Sequence, residues 1–230
     1  MCYHTGSPSK SDLKNKYPKK KVVYELDKEI FHVSGFTRPF LPVTLNKNAD
    51  TIESARWKLI PFWVKSEEDA AKYANTLNAE GESIFEKASY KNYINSNRGL
   101  LYVTGFYEPH QVKGSKQTDN YFIYAPEKKI LTLGIVYADF LDQQTGETYP
   151  TFSIITTPAN PLLEEIHNVK KRMPLIIPEE KQDEWLFADS KERIQNLIKP
   201  YEGELGSHQV YRVTAARNED TNIPEIQNPI

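Results

Sequence analysis

RGLLYVTGFYEP, residues 98–109, is an apolar and aromatic run of the kind that builds the core of a β-sheet. Its β-branched and aromatic side chains predict a strand that reaches Glu108. Runs of the same character recur along the chain at 120–126 (NYFIYAP), 129–140 (KILTLGIVYADF), 149–158 (YPTFSIITTP), 173–178 (MPLIIP) and 209–214 (QVYRVT). Short polar connections such as DQQTGET, at 142–148, favour antiparallel hairpins over parallel crossover units.

Helical patterns are fewer. SEEDAAKYAN, at 66–75, begins with Ser66 as a candidate N-cap and has an acid three residues later. The stretch 178–200 starts with a proline and acidic residues and ends at a second proline, which predicts a longer helix. FEKASYKNYI, at 85–94, predicts a short one. We therefore expect a single α+β domain over 1–230, with a mainly antiparallel, barrel-like sheet system and peripheral helices.

Composition bounds the class of protein. The chain of 230 residues has one cysteine, which excludes an intramolecular disulfide framework and any multi-cysteine metal site. No apolar run approaches the roughly 20 residues of a membrane helix, and the N-terminal segment is polar and lysine-rich, so we expect a cytoplasmic protein. The net charge of −2 gives no general reason to expect nucleic acid. Basic clusters at 10–21 and 170–172 are typical of solvated faces or a mobile arm.

The lone cysteine is Cys2, directly after Met1. Removal of Met1 would leave a free α-amine and a thiol on one residue. Their ordinary pKa values, about 7.7–8.0 and about 8.5, predict that both are partly nucleophilic near neutral pH. Together they can close on an aldehyde as a five-membered thiazolidine. Two alternatives remain: the thiol attacks an amide with the amine as base, or Cys2 is a small inert residue under the fold.

Four further features are candidates for chemistry or binding. Asn78, in a polar stretch, could orient a neighbouring backbone group or be an ordinary turn residue. Glu108, at the end of an aromatic strand, could be a desolvated acid–base group or an exposed carboxylate. His167, between a loop and basic residues, could be a proton shuttle or a structural histidine. WKLIPFW, at 57–63, could be a base-stacking platform or core packing. The other histidines lack the spacing of metal ligands, so we expect no metal.

Taken together and in order, these stretches resemble the SRAP family, the SOS-response-associated peptidases that crosslink themselves to abasic sites in single-stranded DNA. The opening MC looks like the family's Met-Cys start, WKLIPFW is similar to its W-G-L-I-P-x-W, and NAEGES at 78–83 is similar to N-A-R-x-E-T. KASYK followed by Arg98 resembles K-x-S-F-K…R, and TGFYEP at 104–109 is close to A-D-G-F-Y-E-W. The stretch 154–177 looks like I-I-T-T-x-A-N…I-H-x-R-M-P-x-I.

The resemblance implies a mechanism for four residues. Cys2 would be the nucleophile that captures the abasic aldehyde as a thiazolidine, after the protein removes its own Met1. Asn78 would hold the N-terminus, Glu108 would exchange protons, and His167 would assist opening of the sugar ring. The implied partner is single-stranded DNA with abasic sites, and we expect a monomer that uses no metal, organic cofactor or membrane.

DNA that lacks a base offers nothing to read at the lesion, so binding is expected to rest on phosphate contacts and stacking. The expected contacts are phosphate binding by Lys87, Arg98, Lys171 and Arg172, stacking by Phe62 and Trp63, and hydroxyl hydrogen bonds from Thr156 and Thr157. Two alternatives stay open. An N-terminal-nucleophile amidase or peptidase for small substrates would have a deep closed pocket at Cys2, and a non-catalytic single-strand-binding module would bind DNA without forming a covalent product.

The chain also departs from the family's pattern, and these departures bear on DNA affinity and the path of the strand. They are Tyr3-His4 in place of Gly-Arg, Glu80 in place of an arginine, Pro109 in place of a tryptophan, extra residues between His167 and Arg-Met-Pro, and the segment 33–43, VSGFTRPFLPV, which matches the family's Asn-x-A-P stretch poorly.

Overall fold

The computed structural model describes residues 2–73, 75–126, 130–213 and 220–230, and within them strands dominate. The strands are β1 (His4–Ser7), β2 (Lys21–Val22), β3 (Ile30–Ser34), β4 (Phe40–Leu45), β5 (Thr51–Trp57), β6 (Asn78–Glu80), β7 (Arg98–Val103), β8 (Gly105–Gln111), β9 (Thr118–Tyr124), β10 (Leu131–Leu141), β11 (Thr148–Pro158), β12 (Arg172–Pro174) and β13 (Gly206–Val210). The α-helices are α1 (Lys10–Lys16), α2 (Glu67–Lys72), α3 (Pro161–Ile166), α4 (Gln182–Phe187) and α5 (Lys191–Leu197).

Five strands close into a barrel, in the order β11-β10-β7-β4-β5. Neighbours along this order pair antiparallel, and a short parallel pairing of β5 with β11, Trp57 opposite Phe152, completes the ring. The largest apolar cluster includes residues from all five strands. The expectation of an α+β fold with a mainly antiparallel, barrel-like sheet system is confirmed.

A second, antiparallel sheet lies beside the barrel in the order β13-β9-β8-β1-β3. The run 98–109 belongs to both structures, because β7 is a barrel strand and β8 a strand of the second sheet. The single strand expected there was therefore wrong. The change of sheet falls at Thr104–Gly105, and a Cβ on Gly105 would lie 2.4 Å from the Phe122 ring. Only glycine permits this approach of β8 to β9.

The helix predictions were partly right. Helix α2 begins after Ser66, whose side chain accepts a hydrogen bond from the backbone of Asp69 as expected. The long helix expected over 178–200 is instead a 3-10 turn followed by α4 and α5, because the chain turns extended at Ala188 and Ser190 caps a new helix. The short helix expected at 85–94 was also wrong, since that segment is a series of hydrogen-bonded turns.

Other expected strands differ in their bounds. Strand β13 ends at Val210, and residues 129 and 214, the ends of two expected strands, lie outside the described residues. Strand β12 is shorter than expected, but the backbone of Leu175 and Ile177 still bonds to Ile155 and Thr132. None of the helices in the described part of the chain is long and apolar enough to cross a membrane.

Candidate active site

Cys2 is anchored by the strand that follows it. Strand β1 is an internal strand of the second sheet, between β8 and the edge strand β3, with His4 opposite Tyr107 on β8. Cys2 is fully buried in the main apolar cluster, and its Sγ lies 3.8 Å from the carbonyl oxygen of His4. The pairing with β8 directs the residue toward the end of the strand that carries Glu108.

Asn78 lies against Cys2 from the barrel side. Strand β6 pairs in parallel with β11, which sets Asn78 opposite Ile154. The Nδ2 of Asn78 donates a hydrogen bond of 2.9 Å to the carbonyl oxygen of Cys2. The backbone oxygen of Asn78 in turn accepts a 2.9 Å hydrogen bond from the Tyr90 hydroxyl. The amide is thereby oriented toward the peptide group of Cys2.

Glu108 and His167 form a buried acid–base pair near the same point. Glu108 on β8 is fully buried, and the Nδ1 of His167 lies 3.6 Å from its Oε2. His167 is the C-cap of α3, and its Nδ1 lies 2.9 Å from the carbonyl oxygen of Arg172. Because a carbonyl can only accept, Nδ1 carries the proton of the neutral ring and Nε2 is its basic nitrogen.

Burial moves the pKa values of this pair in opposite directions. It raises the pKa of Glu108 from 4.5 to about 7, and it lowers the pKa of His167 from 6.5 to about 4. At neutral pH the carboxyl group is therefore divided between acid and base, and the imidazole is neutral. Opposed shifts of this kind at one site are typical of acid–base catalysis.

The thiol differs from the expectation based on its ordinary pKa. Burial, followed by the negative charge of Glu108, raises the pKa of Cys2 well above its usual range. The resting group is a thiol and not a partial thiolate, so it needs a base to become a nucleophile. Glu108, the nearby carboxylate with a pKa of about 7, is suited to that task.

Five of the eight residues expected to contact DNA lie at the surface or close to it. Phe62 is 62 % exposed, and its ring meets Trp63 edge to face with centroids 5.1 Å apart. Lys171 is exposed. Lys87 and Arg172 are held by carboxylates, at 2.9 Å from Glu80 and at 2.8 Å from Glu82.

The other three do not fit that role and are corrected. Arg98 is buried, and its guanidinium donates to five backbone carbonyls, those of Ile94, Asn95, Trp185, Leu186 and Ala188. Thr156 and Thr157 are buried in β11, where the first accepts from Arg172 and the second donates to Pro158. Arg98 and Thr157 use their side-chain donors on backbone carbonyls, and Thr156 is buried against Arg172.

A histidine pair near Cys2 is a feature that the sequence analysis missed, because its members are 28 residues apart. The Nδ1 of His4 lies 3.0 Å from the Nε2 of His32, whose Nδ1 lies 2.6 Å from the Thr221 hydroxyl. Burial lowers the pKa of both rings to about 4. Neither ring has metal-ligand spacing, and within the described ranges no three His, Cys, Asp or Glu side chains form a cluster that could hold a metal ion.

Two clefts of about 340 Å³ each share Tyr3, the residue after Cys2, as a wall. The first includes Asn78, Glu80 and Lys87 in its lining, and the second includes His167. Cys2 itself is buried and lines neither cleft. A linear ligand that crosses Tyr3 from one cleft to the other would therefore pass close to Cys2, its neighbour in the chain.

The site combines a single cysteine with an orienting amide and an acid–base pair, which defines a candidate thiol-nucleophile site at the edge of a β-barrel. The sequence model of the SOS response associated peptidase (SRAP) family matches residues 6–218, and the chain belongs to this family.

Individual relatives agree with this assignment. The chain is 29% identical over 212 residues to the abasic site processing protein HMCES of Gallus gallus, a match that covers 81% of this chain and 61% of that protein. It is 30% identical over 184 residues to the abasic site processing protein YoqW of Bacillus subtilis, covering 74% and 73%. The chain thus spans less than two thirds of the length of the vertebrate relative.

Solved structures share the fold. A crystal structure of a protein from Bacteroides thetaiotaomicron superposes with a TM-score of 0.87 at 32% identity, and the match covers 100% of both chains. A protein from Bordetella bronchiseptica matches with a TM-score of 0.76 at 20% identity, over 91% of this chain and 99% of that one. The second likeness concerns the fold alone.

Proposed function

We propose that this protein processes abasic sites in single-stranded DNA by forming a covalent crosslink through Cys2. The observation that carries the proposal is the surroundings of Cys2, which bears the only thiol: Asn78 binds its carbonyl oxygen, and the charge of Glu108 acts on the pKa of its thiol. His167 is in turn paired with Glu108. Relatives named as abasic site processing proteins support the substrate. We also expect a cytoplasmic monomer that works without metal or organic cofactor.

The first step is hydrolysis of the Met1–Cys2 peptide bond, which consumes one water and frees the α-amine of Cys2. Asn78 supports this step because its amide already binds the carbonyl oxygen of Cys2 at 2.9 Å and holds the new terminus in place. The freed amine remains next to Glu108, the group that handles protons in the following steps.

The second step joins the amine to the aldehyde of the ring-opened sugar. The amine adds to the aldehyde carbon, and Glu108 in its acid form gives a proton to the hydroxyl that leaves as water. The carbon of the resulting protonated imine then accepts the Cys2 sulfur. Glu108, now a carboxylate, takes the thiol proton as the five-membered ring closes, which leaves the ring nitrogen neutral and returns Glu108 to its acid form. A carboxyl group with a pKa of about 7 can perform both transfers at neutral pH.

His167 acts on the sugar before capture. The closed sugar must open to expose its aldehyde, and this requires removal of a hydroxyl proton. The neutral ring has its Nδ1 proton committed to the Arg172 carbonyl, so Nε2 is its basic nitrogen and takes this proton. Because burial lowers the pKa of His167 to about 4, the ring keeps Nε2 unprotonated throughout the physiological range.

The DNA strand is held by stacking and phosphate contacts. Phe62 and Trp63 present exposed rings for a base beside the lesion, and Lys171 presents a positive charge at the surface. Lys87 and Arg172 reach phosphates by exchanging their carboxylate partners, Glu80 and Glu82, for the DNA. This exchange makes affinity strongly dependent on salt.

The test is the mass of the intact protein before and after incubation with a short single-stranded oligonucleotide that carries one aldehyde abasic site. The expected product is the protein without Met1 plus the DNA minus one water. Cys2→Ala, which keeps an amine and lacks the thiol, is expected to give no stable adduct, and an oligonucleotide with a reduced abasic site is expected to give none with the native protein.

Other outcomes overturn the proposal in distinct ways. A processed N-terminus without an adduct would favour the amidase. Equal DNA binding by the native protein and Cys2→Ala, with no covalent product from either, would favour a non-catalytic binding module. A retained Met1 with no adduct would assign Cys2 a structural role.

A further inference from the structure

The second cleft beside the site has walls that the proposed crosslinking steps do not use. It is lined by the rings of Tyr3, Phe36 and Tyr107 and by polar side chains of Gln111, Thr118 and Asn120, with His4, Pro109, His167, Val169 and Lys170 completing it. Phe36 is 61 % exposed and its ring lies 5.0 Å from that of Tyr3, tilted by 31°. An aromatic pair in this open arrangement is a surface on which a planar group can stack.

Two polar side chains in the wall of the cleft are held in fixed orientations by hydrogen bonds. Asn120 is almost fully buried, and its Oδ1 accepts a 3.2 Å hydrogen bond from the backbone of Val213. Within the described part of the chain its Nδ2 has no hydrogen-bond acceptor, so this donor is available to a ligand. Gln111 uses its Nε2 on the carbonyls of Ser115 and Gln117, which leaves its oxygen as an acceptor. The wall thus offers a donor and an acceptor in set places.

Charge in this cleft is low. His4 is oriented by its 3.0 Å contact with His32, and since burial lowers the pKa of both rings to about 4 they are neutral at physiological pH. His167 is neutral for the same reason. The cationic side chain of the lining is Lys170, which is exposed. A neutral, flat ligand with a nearby negative charge matches this distribution better than a phosphate alone.

Several departures from the family's pattern come together here although they are far apart in sequence. His4 stands in place of an arginine, Pro109 in place of a tryptophan, and Phe36 lies in the poorly matching segment 33–43. Val169 and Lys170 lie in the lengthened stretch between His167 and Arg172. In this chain Pro109 and the neutral ring of His4 therefore border space that a tryptophan and an arginine at these positions would restrict.

We propose that this cleft is a subsite for one unpaired nucleobase next to the abasic sugar, and that its fixed donor and acceptor make capture depend on which base is present. The inference rests on the proposed function for its substrate. A cleft of about 340 Å³ is at the lower end of the range for small-ligand pockets, so it takes one base and not two. The base stacks on Phe36, and Lys170 receives the adjoining phosphate.

The experiment uses single-stranded oligonucleotides that carry a tetrahydrofuran abasic analogue, which cannot form an imine. The base on one side or the other is varied among the four or deleted, and Kd is measured by fluorescence anisotropy. Deletion on one side is expected to weaken binding roughly 5- to 100-fold, and the four bases are expected to differ. Equal Kd values for all flanking bases and for both deletions would overturn the proposal.

Variants locate the effect. Phe36→Ala, at an exposed position, is expected to abolish the dependence on the flanking base, and Pro109→Trp is expected to do the same by filling the cleft. Phe187→Ala is the matched control, because Phe187 is 56 % exposed and lines neither cleft. A base dependence that survives both cleft variants would overturn the assignment of this cleft.

The two proposals fail separately. Parallel reactions with the aldehyde abasic site report crosslinking, whereas the analogue reports only binding. Crosslinking without base dependence removes the subsite and keeps the proposed function. Base-dependent binding without any crosslink removes the covalent mechanism and keeps the subsite.

Discussion

Arg98 and Glu108 occupy the two ends of one run of sequence, and both are charged side chains buried in the protein. The guanidinium of Arg98, at the barrel end, donates to five backbone carbonyls. These hydrogen bonds hold residues 94–95 and the turn from α4 into α5 in place. The carboxyl group at the other end has a pKa raised to about 7, so its surroundings disfavour its charge. A buried charge whose bonds are all made holds a fold together, whereas one whose charged form is disfavoured is ready to exchange protons.

The largest effect is expected at the structural end. Arg98→Met leaves several carbonyls buried without a donor, and we expect a loss of roughly 4 kcal/mol or more in the free energy of unfolding. Chemical denaturation monitored by tryptophan fluorescence measures it. Arg98→Lys is the control and is expected to recover little, because an ammonium cannot reproduce a planar fork of five donors. If Arg98→Met were as stable as the native protein but bound DNA more weakly, Arg98 would be a phosphate-binding residue and not a structural one.

A smaller change in the free energy of unfolding, of opposite sign, is expected when Glu108 is replaced. Folding raises the pKa of Glu108 from 4.5 to about 7. Ionisation of Glu108 therefore does not lower the free energy of unfolding below about pH 4.5, lowers it progressively between pH 4.5 and 7, and lowers it by a constant amount above pH 7. Glu108→Gln removes this cost and is expected to stabilise the protein by about 3 kcal/mol at pH 8 and negligibly at pH 4. Equal effects at both pH values would show that the carboxyl group is not poised as described.

The same carboxyl group is expected to shape the pH dependence of crosslinking. Imine formation needs Glu108 protonated and the α-amine deprotonated, with pKa values of about 7 and about 7.7–8.0, so the rate should be bell-shaped with a maximum between pH 7 and 8. In Glu108→Gln the rate is expected to fall about 10²- to 10⁴-fold and the alkaline limb to disappear. Quenched gel assays of crosslinking over pH 5.5–9 give both results. An alkaline limb that persists in the variant would belong to another group.

The smallest change in stability is expected for a charge outside the run. Glu80 is exposed and paired with Lys87 at 2.9 Å, so Glu80→Gln should change the free energy of unfolding by less than about 1 kcal/mol. It also frees a lysine beside the site, so DNA binding is expected to tighten and its dependence on log salt to steepen by about 1. Glu86→Gln is the control, since Glu86 is exposed on the same segment and lines neither cleft. An unchanged salt slope in Glu80→Gln would place the strand elsewhere.

Local signals in the sequence predicted what depends on local structure. The alternation of apolar and aromatic residues located most of the strands, and the Ser66 cap located the start of α2. The break at Ser190 was missed because a long amphipathic pattern conceals a cap inside it. The roles of Thr156 and Thr157 were missed for a related reason, since nothing in the residue order shows that β11 is an internal barrel strand.

The site itself depends on pairings that residue order does not reveal. Cys2 meets Glu108 because β1 pairs with β8, about a hundred residues later, and Arg98 is committed to carbonyls 87 to 90 residues away. The resemblance to a family brought Cys2, Asn78, Glu108 and His167 together in advance. It could not show the contact of His4 with His32, because His4 lies where this chain departs from the pattern and His32 lies outside the stretches that match the family.

Strand β1 pairs with two strands, β3 and β8, that are synthesised at different times. One neighbour, β3, leaves the ribosome soon after β1, but the other, β8, follows about a hundred residues later. At 5–20 residues per second, Cys2 therefore has no completed site around it for roughly 5–20 s. During that interval its terminus is accessible to aminopeptidases at the ribosome, whereas in the folded protein, with β8 paired to β1, Cys2 is buried.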